Sequence, residues 1–145
     1  MFDITEGIEI DRPPTTVFAF LTDPARRHEW DHSVVSEELL TPPPVTAGSR
    51  IRTRMSVMGR DVEFDWTVTA FDAPRVMAAQ AASGTMPARM RFTFDPTPTG
   101  CRVSSSLAAE PSGLLRLVEP VVEQVARATL TEGLARAKRL IEEGP

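Results

Sequence analysis

The spacing of the apolar residues changes once along this chain, and that change limits the fold more than any other feature. Up to about residue 110, apolar and polar residues mostly alternate, which is typical of strands with one buried face. From Leu114 to Glu143 the apolar residues recur every three or four positions, which is typical of an amphipathic helix. An apolar sheet face and an apolar helix face must cover each other. The chain therefore predicts an α+β domain with a long C-terminal helix lying across a curved sheet.

About six or seven strands are predicted before the helix, with breaks at Pro- or Gly-containing turns and at Ser83 and Gly84. Short turns connect successive strands, so the sheet is predicted to be an antiparallel meander. The clearest hairpin joins 50–57 to 62–69. Its inner face is apolar, and its outer face sets arginines opposite acidic residues, which helps to fix the register.

Two short helices are predicted after the first strand. Pro13 and Pro14 end that strand, and the residues from Val17 to Leu21 follow helical spacing. Asp23 and Pro24 then provide a cap and a first helical residue for a second helix that ends near Trp30. In the C-terminal helix, Pro120 predicts either a kink or a separate first turn.

Several classes of partner are disfavoured by composition. The net charge is -4 and the arginines are scattered, which argues against nucleic acid. No apolar run is long enough to insert stably in a bilayer. The N-terminus lacks the basic and apolar segments of a secretion signal. Cys101 is the only cysteine, so no internal disulfide forms; we expect a cytoplasmic protein, a monomer or homodimer, with Cys101 as a small buried hydrophobe.

The segment from His28 to His32 matches the zinc-protease pattern H-E-x-x-H. In that pattern two histidines one helical turn apart hold zinc, and the glutamate activates water. The helix here is only a few residues long, and the chain has no third histidine to complete a site. We expect two partly exposed histidines around a packed Trp30, and neither a metal nor a cofactor.

The order of elements, together with two motifs, resembles the START-like superfamily, also called SRPBCC, and within it the polyketide cyclase/dehydrase-like group. The first motif runs from Ile8 to Pro24 and is followed by Trp30; the second runs from Val68 to Arg75. The resemblance spans 1–145 as one domain. It implies the helix-grip fold, with a hydrophobic tunnel between the long helix and the sheet. Related proteins bind lipids, hormones or polyketides, and some cyclise or dehydrate them.

Four polar residues are candidates to point into such a tunnel: Glu6, Thr53, Ser105 and Thr129. Serine and threonine also commonly occupy ordinary half-buried strand positions. Glu6 is the only titratable candidate, and therefore the one weak candidate for catalysis. Two placements are open for it: a bulge at Gly7 turns Glu6 outward, which we favour, or Glu6 faces the interior.

The predicted ligand-binding residues share an inward register on the sheet or on the long helix. They are Thr53, Met55, Phe64, Trp66, Met90, Phe92, Ser105, Val118, Val121, Val122, Val125 and Thr129. Such residues form an ordinary core unless they leave a void between them.

Three functions are compatible with this pattern. The leading hypothesis is binding or transport of a small hydrophobic molecule, lipid or polyketide-like, in an internal cavity. The second is a polyketide cyclase or dehydratase that acts in the same cavity, with Glu6 as acid or base. The third is a non-enzymatic interaction protein with a closed core.

Overall fold

Seven antiparallel strands lie in the order β1-β7-β6-β5-β4-β3-β2 across one sheet in the computed structural model, which describes residues 1–82 and 86–144. The predicted break at Ser83 and Gly84 lies outside the described residues. The strands are β1 (Phe2–Ile10), β2 (Val34–Leu39), β3 (Arg50–Val57), β4 (Arg60–Asp72), β5 (Val76–Ala81), β6 (Ala88–Thr97) and β7 (Gly100–Ala109). From β2 to β7 each strand pairs with the next, and β1 closes on β7. This confirms the predicted meander.

Four α-helices accompany the sheet in the described part of the chain: α1 (Pro14–Leu21), α2 (Arg27–Trp30), α3 (Leu114–Leu117) and α4 (Glu119–Glu143). A 3-10 turn, Pro24–Arg26, separates α1 from α2, and the Asp23 side chain caps it by accepting a hydrogen bond from the Ala25 N–H. The curved antiparallel sheet, the two short helices and the long last helix confirm the helix-grip fold.

The β3–β4 hairpin has the predicted register. Arg52 pairs with Asp65, and its Nε lies 2.8 Å from Asp65 Oδ1. Arg54 pairs with Glu63 on the same outer face. These exposed ion pairs add little free energy, but they favour the register that turns the apolar residues inward.

The predicted bulge in β1 is wrong. The pairing of β1 with β7 runs without a shift from Phe2 to Ile10, so Glu6 stays on the face of β1 that is turned toward α4. A different contact explains why residue 7 is a glycine. A Cβ there would lie 2.8 Å from Arg102 Nη2, so the glycine leaves room for that guanidinium. Arg127 Nη1 on α4 donates to Glu6 Oε1 at 2.8 Å, which satisfies the carboxylate without a bulge.

The helix after β7 breaks instead of kinking. Pro120 lies in the first turn of α4, and α3 is a separate turn that ends at Val118. Because of the break, the apolar residues between Leu114 and Val125 do not all lie on one buried face. Leu115 and Val122 are buried, whereas Val118 and Val121 are 38% and 44% exposed. The expectation that Val118 and Val121 face the sheet is therefore wrong.

Trp30 fixes α4 to the rest of the fold. Its indole is 1% exposed and lies edge-on to Phe92, with 6.3 Å between ring centroids. At Gly133 of α4, a Cβ would lie 3.2 Å from Trp30 Cε3 and 3.3 Å from the Trp30 carbonyl oxygen. One turn along α4, Arg136 Nη1 donates to that same carbonyl at 2.8 Å. The glycine allows the helix to approach, and the arginine holds it there.

We expect Gly133→Val to lower the free energy of unfolding by about 2 kcal/mol, because a branched side chain would overlap a buried indole that has no room to move. Ala128→Val places the same side chain on the exposed side of α4 and should cost about 0.5 kcal/mol. Urea denaturation of both variants measures the difference. Equal losses would contradict close packing of α4 on Trp30.

Candidate functional site

A cavity of about 140 Å³ lies between the concave face of the sheet and α4. It is several times larger than the space that one water molecule needs. Most of its surface is apolar, and the apolar side chains come from the sheet, from the end of α1, from α4 and from the segment before β6. They are Phe2, Leu21, Ile51, Met55, Val57, Phe64, Trp66, Met77, Ala79, Met86, Met90, Phe92, Leu107, Val122, Val125, Ala126 and Leu130.

Nine of the twelve residues predicted to bind ligand line this cavity: Met55, Phe64, Trp66, Met90, Phe92, Ser105, Val122, Val125 and Thr129. Thr53 is buried beside it, where its hydroxyl donates to Glu37 Oε2 at 2.8 Å. Val118 and Val121 lie on the surface. Glu6 is paired with Arg127 and does not line the cavity.

Methionine contributes an unusual share of the lining. Met55, Met77, Met86 and Met90 all border the cavity, whereas Met1 and Met58 are exposed. Methionine side chains are unbranched and polarisable, so they adapt to apolar surfaces of different shapes. The wall can therefore fit apolar molecules that differ in outline.

One part of the lining is charged. Arg27 and Asp31 of the α2 corner border the cavity together with Glu37 of β2. Arg27 Nη2 lies 3.1 Å from Asp31 Oδ2, and Arg27 Nη1 lies 3.8 Å from Glu37 Oε2. The Arg27 guanidinium also stacks over the Trp30 ring, 4.6 Å from its centroid. We call Arg27, Asp31 and Glu37 the polar triad.

The other oxygen of Asp31 is held by Ser33. Both the backbone N–H and the hydroxyl of Ser33 donate to Asp31 Oδ1, at 3.0 and 2.6 Å. Asp31 is only 4% exposed, so these bonds replace the water that the carboxylate loses on burial. Asp31 is therefore held in place facing Arg27.

Burial and charge act against each other within the polar triad. Loss of hydration raises the pKa of Glu37, and it outweighs the opposing effects of the Arg27 charge and the Thr53 hydrogen bond. Burial also disfavours the Arg27 cation, but the carboxylates of Glu37 and Asp31 more than compensate, and the pKa of Arg27 is raised. Glu37 is thus a carboxyl group that can hold or release a proton at the wall of an apolar cavity.

Three other reactive side chains, Cys101, His28 and His32, do not line the cavity. Cys101 is fully buried, as expected of a small hydrophobe, and desolvation raises the pKa of its thiol. His28 and His32 are exposed, and Glu29 pairs with Arg26 at 3.1 Å. Within 1–82 and 86–144, no group of three or more histidine, cysteine or acidic side chains is placed to hold a metal ion. The described helices also include none with the length and hydrophobicity to cross a membrane.

A sequence model of one family, described as polyketide cyclase / dehydrase and lipid transport, matches residues 1–142. The chain belongs to this family. Among proteins of curated function, none matches the chain in sequence. Membership agrees with the resemblance seen in the Ile8–Pro24 and Val68–Arg75 motifs, and it leaves the individual ligand or reaction open.

Solved structures similar to this family member share its fold at low identity. The protein TTHA0849 from Thermus thermophilus has a TM-score of 0.84 at 18% identity, with 96% of each chain covered. A START superfamily protein from Mycobacterium smegmatis has a TM-score of 0.80 at 18% identity, with 97% of each chain covered. The di-domain ARO/CYC BexL from the BE-7585A biosynthetic pathway has a TM-score of 0.75 at 18% identity, and the match covers 99% of this chain and 51% of that one.

The sequence analysis missed the polar triad, and a strand irregularity explains why. The β2–β3 register shifts between Val34 and Ser36. Counted in twos from Val34, Glu37 falls on the outer face; after the shift it is paired with inward-facing Thr53. Counting back from Leu39 gives the correct face. Arg27 and Asp31, four residues apart on either side of Trp30, were a second available signal.

Glu37→Gln should change how stability depends on pH. Because the folded-state pKa of Glu37 is raised above its ordinary value of 4.5, the folded state holds the proton more tightly than the unfolded chain. The tighter binding of the proton adds to the free energy of unfolding. This contribution is fully present below pH 4.5 and is lost as pH rises through the folded-state pKa. The charges acting on Glu37 are those of Arg27, Asp31 and Asp23.

We therefore expect the free energy of unfolding of Glu37→Gln to rise relative to the unsubstituted protein as pH increases above 4.5. Denaturant titrations of both proteins over this range measure the difference. A difference that is constant with pH would mean that folding does not change the pKa of Glu37, and a difference that falls would mean that folding lowers it; either result would contradict the raised pKa.

Proposed function

We propose that the protein binds or carries a small, largely apolar molecule in the cavity beneath α4. The observation that supports this most is the cavity itself, whose wall is built mainly from aliphatic, aromatic and methionine side chains. Preformed apolar clefts with a few polar groups are the usual architecture of small-molecule sites. Each apolar Å² of ligand removed from water contributes about 25 cal/mol. The family description, which includes lipid transport, agrees with this role.

Filling the cavity should weaken binding strongly. Ala126 on α4 lines the cavity, and Ala126→Leu would place a larger side chain inside it. We expect the affinity for N-phenylnaphthylamine, an uncharged dye whose emission rises in apolar surroundings, to fall by about tenfold or more. Fluorescence titration measures the dissociation constant.

The matched control is Ala128→Leu, which adds the same side chain on the exposed side of the same helix. It should bind the dye like the unsubstituted protein. If Ala126→Leu also bound normally, or if neither the unsubstituted protein nor the control bound this dye or any lipid or aromatic compound in a native mass spectrometry panel, the carrier role would be excluded. The closed-core interaction protein would then be favoured.

Catalysis is the second candidate, and the placement of Glu37 favours it over the earlier assignment to Glu6. A carboxyl group with a raised pKa inside an apolar cavity can donate a proton to the hydroxyl group of a β-hydroxy ketone. The C–O bond then breaks, water leaves, and the carboxylate that remains accepts the α-proton, so that the products are the enone and water. The family description includes cyclases and dehydrases.

Turnover of a phenyl-substituted β-hydroxy ketone to the enone and water, followed by absorbance, tests this candidate. We expect Glu37→Gln to lower kcat by about a hundredfold or more and Glu6→Gln to leave it unchanged. If the unsubstituted protein shows no turnover, or if Glu37→Gln retains it, the carrier role remains and this reaction does not.

We also propose a cytoplasmic location. The lone cysteine is buried and has no partner for an internal disulfide, which fits a reducing compartment. Fractionation of cells that express the protein would test this placement.

A further inference from the structure

The ligand-binding role proposed above leaves open what kind of polar group the ligand carries, and the polar triad addresses that question. Arg27 is the obvious anchor for an anionic head group, because a guanidinium binds carboxylate and phosphate well. Its surroundings argue against this use. Nε and Nη2 face Asp31 Oδ2 at 3.4 and 3.1 Å, and Nη1 faces Glu37 Oε2 at 3.8 Å.

All three guanidinium nitrogens are thus directed at carboxylates of the protein itself. An anionic ligand that took the Nε and Nη2 edge, which binds carboxylates best, would have to displace Asp31, and Asp31 is also held by two hydrogen bonds from Ser33. The sum of charges is no more favourable. Arg27 contributes one positive charge, Asp31 one negative charge, and Glu37 either a second negative charge or none. By formal charge at neutral pH, the polar triad is therefore neutral or negative.

Glu37 is the member of the polar triad that remains open to a ligand. Both of its contacts in the described residues fall on Oε2: the Thr53 hydroxyl at 2.8 Å and Arg27 Nη1 at 3.8 Å. Glu37 lines the cavity, so Oε1 is the oxygen left to meet a bound molecule. Without its proton Oε1 accepts a hydrogen bond, and with the proton the carboxyl group can both donate and accept. A hydroxyl group complements both states.

We propose that the cavity selects an apolar molecule bearing an uncharged hydroxyl group, phenolic or alcoholic, that hydrogen-bonds to Glu37, and that it discriminates against the corresponding carboxylate. This inference rests on the carrier role. It makes Glu37 the specificity-determining residue and Arg27 the residue that positions it. A fatty acid anion would bring a negative charge next to Asp31 and Glu37, and the described lining of the cavity has no cation besides the paired Arg27 to receive it. The repulsion is strong in a site of low polarity.

Isothermal titration of the unsubstituted protein at neutral pH with four compounds of one ring system tests the proposal: naphthalene, naphthol, naphthoate and the cationic naphthylmethylamine. We expect naphthol to bind about tenfold more tightly than naphthalene, which is the effect of one well-formed hydrogen bond to a buried carboxyl group. We expect naphthoate to bind at least about tenfold more weakly than naphthol.

Two variants connect the discrimination to Glu37. Glu37→Gln cannot become negative, so the ratio of the naphthol and naphthoate affinities should fall by about threefold or more. Glu6→Gln is the matched control, because Glu6 lies outside the cavity, and it should keep the ratio of the unsubstituted protein. The titrations of the unsubstituted protein decide the matter even if Glu37→Gln does not fold.

The outcomes separate this inference from the carrier role. If naphthalene and naphthol bind equally, or if naphthoate or naphthylmethylamine binds most tightly, the hydroxyl selectivity is wrong while the carrier role stands. If none of the four compounds binds, the carrier role fails and the selectivity fails with it. Loss of discrimination in Glu6→Gln would also overturn the assignment to Glu37.

Discussion

One helix has to cover a sheet that is wider than the helix, and the cavity is the consequence. Seven strands about 4.8 Å apart give a sheet roughly 30 Å wide, whereas a helix with its side chains is about 10 Å across. α4 packs most closely against β1, α1 and α2. Trp30 and Gly133 fix this approach on one side, and α4 only partly fills the space above the apolar faces of the middle strands. Curvature of the sheet brings those faces around a void instead of exposing them to water.

The charged groups of the cavity are stable there because they are buried with partners. An isolated buried carboxylate is very costly, but Asp31 receives two hydrogen bonds from Ser33 and an ion pair from Arg27. Glu37 has less compensation, and the direction of its pKa shift reflects this difference. The same imbalance that makes Glu37 unfavourable for the fold makes it useful toward a ligand or a proton. The cavity therefore combines an adaptable apolar wall with one defined polar position.

The residues that the sequence predicted correctly were those for which local pattern and tertiary structure agree. The β3–β4 hairpin alternates without interruption, so its inward residues, among them Phe64 and Trp66, followed from counting in twos. The errors occurred where counting crosses an irregularity. The register shift near Val35 hid Glu37, and the break at Val118 turned Val118 and Val121 outward. At Glu6 the sequence indicated a bulge because the partner on α4, Arg127, is 121 positions away and no local pattern reveals it.

The central claim is that an apolar molecule enters the space beneath α4, and the methionine methyl groups test it directly. Four methionines, Met55, Met77, Met86 and Met90, line the cavity, while Met1 and Met58 lie on the surface as internal controls. In methyl NMR spectra recorded while naphthol is added, we expect shifts and intermolecular Overhauser effects at the four cavity methyls and none at the two surface methyls. Effects confined to Met1 or Met58, or spread equally over all six, would show that the molecule binds outside and that the cavity is only a packing void.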